Sequence, residues 1–222
     1  MYLYYILLAV PPLVAGLLAQ AWVRRTFTEA SKIPAVSGLT GAEVSRRMLD
    51  GGGLTNVTVE GISGELSDHY DPRTQTMRLS PPVGGSSSVA AVAVAAHETG
   101  HAFQDAHHEA GFRFRGALVP ATGFASQAWF PIFLIGLFAG VTNLALLGVA
   151  LFAAIVLFQL ATLPVEFGAS RKAMVMLTNQ GVISQAQTPV ARKVLTAAAL
   201  TYVVATLAAI WQLAILLMQA RR

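Results

Sequence analysis

The groups in this chain best placed to do chemistry are two histidines four residues apart with a glutamate directly after the first, His97-Glu98-Thr99-Gly100-His101. The run before them, Val89–Ala96, is Val and Ala alone, and Ser86-Ser87-Ser88 in front of it can supply an N-cap. The stretch predicts a helix over Val89–Ala106. Residues four apart on a helix share a face, so the imidazoles of His97 and His101 arrive from successive turns and can share one metal ion. Glu98 falls beside them, placed to take a proton from a water the metal activates rather than to bind the metal. Zinc suits this set, because a catalytic zinc has three protein ligands and one open position. It brings the water's pKa to about 7. The plain alternative is two surface histidines and a solvated glutamate; the helical context favours the metal reading.

Two histidines need a third ligand, and three candidates exist. His107 stands where an HExxHxxGxxH protease has its third histidine, but those enzymes turn the chain at a Gly, and Gln104 occupies that place. Without a bend, residue 107 lies roughly 240° around the helix from His101. The pair His107-His108 reads better as a solvated helix end. His69 has no spacing argument. Glu166 is the strongest candidate: it is the only acidic residue after Glu109, at the end of an apolar run where metal ligation would offset the cost of a carboxylate. Its alternative is a salt bridge to Arg171 or Lys172.

The elements that must position these groups are largely apolar. Of 222 residues 55% are hydrophobic and 12% charged, where a soluble domain is nearer about 25% charged. Residues 116–165 carry no formal charge, enough for two spans of about 20 residues each. The reading is a mainly α integral membrane protein forming a single domain, 1–222. Four transmembrane helices are expected at about 2–23, 117–139, 144–163 and 194–218. The polar catalytic segments are 24–116 and 164–193, the first a small α+β zincin-like segment between spans one and two. Met1–Val23 reads as a retained anchor: no basic residue precedes its apolar core and Arg24-Arg25 follows it. Tyr2, Tyr4, Tyr5 and Trp22 fit interfacial belts. Cysteine is absent, which excludes disulfides and thiolate ligands. Net charge is +4, but the basic residues flank the spans; the partner they imply is a lipid bilayer, and nothing suggests nucleic acid.

Within 24–116, Thr40-Gly41-Ala42-Glu43 is a capping box, and Val44, Met48 and Leu49 give a short amphipathic helix ended by Gly51-Gly52-Gly53. Val57-Thr58-Val59 reads as a strand. Leu66–Tyr70 and Gln75–Ser80 read as a hairpin around Asp71-Pro72-Arg73-Thr74. Met77 and Leu79 alternate with Thr76, Arg78 and Ser80, so the second strand should be half exposed. A strand edge here can hold an extended peptide by strand addition, or simply stabilise the segment. The turn at Gly140–Asn143 makes spans two and three a hairpin, which returns Glu166 to the side of the membrane that carries His97 and His101. A polar loop is expected from Pro164 to Pro189.

The stretches His97–Gln104 and Leu163-Pro164-Val165-Glu166-Phe167-Gly168-Ala169-Ser170-Arg171, with Asp68-His69-Tyr70-Asp71-Pro72 and Leu79-Ser80, resemble the YugP-type membrane zinc metallopeptidases over nearly the whole chain. More distantly they resemble the HtpX-like and CAAX prenyl endopeptidases, which place a glutamate ligand after a membrane hairpin. The resemblance implies one Zn2+ per chain at His97, His101 and Glu166, with Glu98 as the base. Ser170 stands where the distant relatives have Asp, so it would be a weaker hydrogen-bonding partner for a ligand histidine. The function implied is hydrolysis of a polypeptide substrate at the plasma membrane of a bacterium. Apart from the resemblance, the residues offer Arg171 or Tyr70 as the oxyanion donor without choosing between them, with His69 as a further candidate neighbour. The basic flanks put the site on the cytoplasmic side. The rival readings are a membrane zinc scaffold or chaperone-like binder, and a small transporter. A structural zinc usually fills all four positions with protein ligands, and a transporter needs ionisable groups within the spans. The sequence carries no signal for oligomeric state.

Overall fold

The computed structural model describes residues 2–220, the side chains of residues 2–7 and 9 excepted. In chain order its elements are α1 (Tyr2–Ser31), α2 (Gly41–Gly51), β1 (Thr58–Gly61), β2 (His69–Asp71), β3 (Thr76–Leu79), α3 (Pro81–Gly84), α4 (Val89–Ala106), α5 (Ala110–Phe138), α6 (Thr142–Asn179) and α7 (Thr188–Ala220). The chain divides into two compact units: Met1–Ala19, Ala110–Pro164 and Thr201–Arg222 form one, and Gln20–Glu109 with Val165–Leu200 the other.

The first unit is apolar inside and out. Phe133, Ala145, Val149, Phe152 and Val156 pack with Ala209 and Leu216. Gly136 lies so close to Ala145 that a Cβ would collide with its backbone, which lets α5 and α6 meet across the short turn at Gly140. The outward faces carry exposed Phe124, Phe130, Ile135, Leu157 and Leu207, as expected of helices whose solvent is hydrocarbon. Among the described residues three helices are long and apolar enough to cross a membrane, α5, α6 and α7, not the four expected. The first expected span, 2–23, falls within α1, where the side chains of residues 2–7 and 9, those of Tyr2, Tyr4 and Tyr5 among them, lie outside the described residues. α1 is continuous over Tyr2–Ser31, with Pro11 and Pro12 inside it.

The second unit is built around α4. Ser88 caps it, its side chain accepting from the Ala91 amide, and Val89–Ala93, Ala95 and Ala96 are fully buried. The small Val and Ala side chains let neighbours approach from every direction. On one side stands α2, whose capping box forms as expected, with Thr40 accepting from the Glu43 amide and the Glu43 carboxylate accepting from the Thr40 amide. Val44, Met48 and Leu49 are its buried face. On another side lies a three-stranded sheet of order β1-β3-β2. β2 and β3 form the expected antiparallel hairpin, Tyr70 opposite Met77. β1 adds to β3 in parallel, Val59 opposite Met77. β3 is more buried than the alternation implied: Thr76 and Ser80 are buried with Met77 and Leu79. Thr76 Oγ1 accepts from Thr58 Oγ1 at 3.0 Å, and Ser80 is held by Asp68; satisfied hydroxyls can be buried.

The expected polar loop after Pro164 is instead the continuation of α6 to Asn179. A proline inside a helix costs about 3 kcal/mol. Val165, Ala169, Ala173 and Leu177, four residues apart, are all buried. Burying Val165 and Leu177 alone stabilises by about 3–6 kcal/mol, so packing outweighs the proline.

Candidate metal centre

Four residues of spacing on α4 bring the rings of His97 and His101 to 4.8 Å, edge to face at 85°. From α6, Glu166 reaches both. Its Oε2 lies 3.2 Å from His97 Nε2 and 3.6 Å from His101 Nε2. The three donor atoms all lie within 4.8 Å of one another. A tetrahedral ion with bonds of about 2.1 Å needs donors about 3.4 Å apart. The two histidine-to-glutamate separations bracket that figure. Glu166 and His101 are buried and His97 nearly so. Two neutral imidazoles and a carboxylate are the donor chemistry of a catalytic zinc site.

The outer nitrogens of both rings are held. His97 Nδ1 lies 3.1 Å from Ser170 Oγ, one turn beyond Glu166 on α6. His101 Nδ1 lies 2.9 Å from Gln104 Oε1, and Gln104 Nε2 donates to the Val165 carbonyl at 2.9 Å. With Nδ1 donating outward, each Nε2 offers its lone pair to the space shared with Glu166. Gln104, notable in the sequence only as the residue where a bend-forming Gly was missing, therefore ties His101 to α6. Gly100 and Gly168 also escaped notice. A Cβ on Gly100 would lie 2.7 Å from the Ala169 carbonyl oxygen, and one on Gly168 would lie 2.8 Å from Gln104 Nε2. A helical Gly flanked by two chemistry-bearing turns was the available signal.

Glu98 is buried beside the cluster, and its Oε2 accepts from the Tyr70 amide on the edge strand β2 at 3.1 Å. Burial pushes its carboxyl above the usual range, against the pull of His97 and His101. Burial alone would lower the pKa of His101, but the carboxylates of Glu166 and Glu98 outweigh it and raise it. The Tyr70 hydroxyl donates to Asp105 at 2.8 Å, and burial with that contact raises its pKa. His69 Nδ1 pairs with the Ser67 carbonyl at 2.8 Å. His107 caps the end of α4 and packs its ring on Phe103 at 5.8 Å. Arg171 lines a cavity with Phe103 and His107. Lys172, offered as an alternative partner for Glu166, pairs with Glu109 at 2.6 Å.

Comparison with known proteins agrees with this geometry. Residues 5–221 match the family described as "Putative neutral zinc metallopeptidase". The chain is 44% identical over 209 residues to "Putative membrane protease YugP" of Bacillus subtilis (strain 168), an alignment covering 94% of this chain and 93% of that protein. No solved structure matches. The chain belongs to this family of zinc metallopeptidases. Three long apolar helices among the described residues, together with the name of that relative, mark it as a membrane protein.

Proposed function

We propose that this chain is a membrane-embedded zinc endopeptidase that hydrolyses peptide bonds in membrane or unfolded polypeptides. One observation carries the reading: His97, His101 and Glu166 converge on a single point beside Glu98. These three residues would hold one zinc, which when bound lowers the pKa of a water and polarises a carbonyl. Glu98, with Oε2 held by the Tyr70 amide, uses Oε1 to accept the water's proton and then returns it to the leaving amine. Ser170 and Gln104 keep the imidazoles aimed. β2 is the outer strand of the sheet next to this base, the place for an extended substrate to pair. Of the two candidate donors to the oxyanion, Tyr70, on the strand beside Glu98, is the one retained; Arg171 lines a separate cavity. The site faces the cytoplasm, because Arg24, Arg25, Lys172, Arg192 and Lys193 flank the apolar segments on its side.

The test uses the full chain in lipid nanodiscs, with zinc measured per chain and cleavage of a denatured protein followed with and without chelator. Glu98→Gln should keep its zinc and stop cleaving; Glu166→Ala should lose zinc. Cleavage by Glu98→Gln at the wild-type rate would remove the assigned base. Stoichiometric zinc without cleavage in the wild-type chain would favour a zinc-binding scaffold instead.

A further inference from the structure

The cavity that Arg171 lines with Phe103 and His107, of about 410 Å³, lies between α2, α4 and α6. Met48, Phe103, Val175 and Met176 are among its walls, and Arg171 and Gln180 are among its polar groups, with Lys172 and His107 beside them. The Phe103 ring rests where a Cβ on Gly52 would have to be, so the glycine run after α2 exists partly to seat it. Phe103 is two residues past His101, about 200° around the helix. The cavity therefore opens on the side of α4 away from the imidazoles, and a ligand in it would not compete for the metal.

Three features define what fits. The walls are apolar and of a size that takes a side chain or small ligand. The Arg171 guanidinium is exposed, and among the described residues it has no ion-pair partner, whereas Lys172 beside it is taken by Glu109 at 2.6 Å. Gln180 has its side-chain carbonyl oxygen buried without a hydrogen-bond partner, an acceptor left for an N–H. A fatty acid offers an apolar chain and a carboxylate but no N–H. An inorganic anion leaves the apolar walls uncovered. The C-terminal residue of a polypeptide, when its side chain is apolar, carries all three groups on adjacent atoms.

We infer that this cavity anchors the C-terminal apolar residue of a polypeptide, with the side chain among Met48, Phe103, Val175 and Met176, the carboxylate on Arg171 and the backbone N–H on Gln180. That the polypeptide is a substrate rests on the peptidase reading; the binding itself does not. Anchored this way, a substrate is held by its end while an interior bond reaches Glu98. A chain end is the natural handle on an unfolded protein.

The test measures binding on the full-length Glu98→Gln chain in zwitterionic nanodiscs, by fluorescence polarisation of a labelled Gly/Ser peptide ending in Leu. The free acid should bind at least about ten-fold more tightly than the same peptide as its C-terminal amide, since a bidentate guanidinium–carboxylate pair is lost. Arg171→Ala should weaken the acid to the level of the amide and leave the amide unchanged. Val175→Trp, at an exposed position on the cavity wall, should weaken both, and a peptide ending in Ser should bind as poorly. Equal binding of acid and amide would overturn the inference. So would an equal loss of both in Arg171→Ala, or competition by decanoate as strong as by the peptide. Failure of the wild-type chain to cleave anything would sink the peptidase reading and leave this binding result standing; loss of the acid preference with cleavage intact would do the reverse.

Discussion

Gly100 stands so close to Ala169 that a Cβ on it would lie 2.7 Å from the Ala169 carbonyl oxygen and 3.1 Å from its Cα. This is the closest approach of α4 to α6 that a glycine provides, and it falls between the two histidines on one helix and between Glu166 and Ser170 on the other. The spacing of the candidate metal cluster is thus set by a backbone contact between α4 and α6 as well as by side-chain length. Gly100→Ala poses a clear contest. Alanine is the better helix former by about 1 kcal/mol, but the neighbour here is backbone and cannot swing aside, and overpacking costs about 1–3 kcal/mol. The steric effect should win: lower thermal stability and less bound zinc than the wild type. A variant that melted higher and held full zinc would mean the helices are free to part.

Ser170 Oγ is the acceptor for His97 Nδ1 at 3.1 Å. Partners of this kind typically contribute about 10–100-fold to metal affinity. Ser170→Ala should weaken zinc binding by about ten-fold in competition with a chelating dye, while Ser170→Asp, a charged acceptor, should bind at least as tightly as the wild type. Affinities unchanged in both variants would show that His97 is aimed by packing alone.

Gln104 separates two roles in one side chain. Its Oε1 serves His101 and its Nε2 serves the Val165 carbonyl. Gln104→Glu retains the acceptor and loses the donor, so zinc affinity should hold while thermal stability falls. Gln104→Met keeps the volume and loses both, so zinc affinity should also fall, by about ten-fold. If the two variants lost zinc equally, the acceptor would not be what orients the ring.

Gln104 also shows where the sequence stops being informative. Read linearly, it marks only a bend that does not occur. Its partner Val165 is sixty-one residues away, and no local pattern connects them. Features fixed within a few residues were legible: the 89–106 helix, the Ser88 and Thr40 caps, the β2–β3 hairpin, and the placing of His97 and His101 one turn apart. Features fixed by distant packing were not. Pro164 reads locally as a stop, and only the buried stripe Val165, Ala169, Ala173, Leu177 keeps α6 helical. β1 pairs in parallel with β3, a register no turn specifies. Thr76 and Ser80 look exposed until Thr58 and Asp68 supply their partners.

The capping box at the start of α2 gives a prediction about pH. The Glu43 carboxylate accepts from the Thr40 amide at 2.8 Å and from its hydroxyl at 2.9 Å, and these bonds hold its pKa below the ordinary glutamate value. A carboxyl with a lowered folded-state pKa stabilises above its unfolded value, about 4.3, and that stabilisation disappears as pH falls through the folded value. Acidification from neutral should therefore first loosen this turn: exchange of the Thr40 amide hydrogen, corrected for intrinsic rate, should rise at the acid end. Glu43→Gln should flatten that dependence. Thr40→Ala should cost about 1 kcal/mol at neutral pH, because the Glu43 amide loses its only cap. Met48 and Leu49 on the same helix pack beneath the strands and α4, so the loss should appear as a lower melting temperature of the whole second unit. An amide at Thr40 whose protection ignores both pH and the Glu43 substitution would show that the hydrophobic face alone fixes the start of α2.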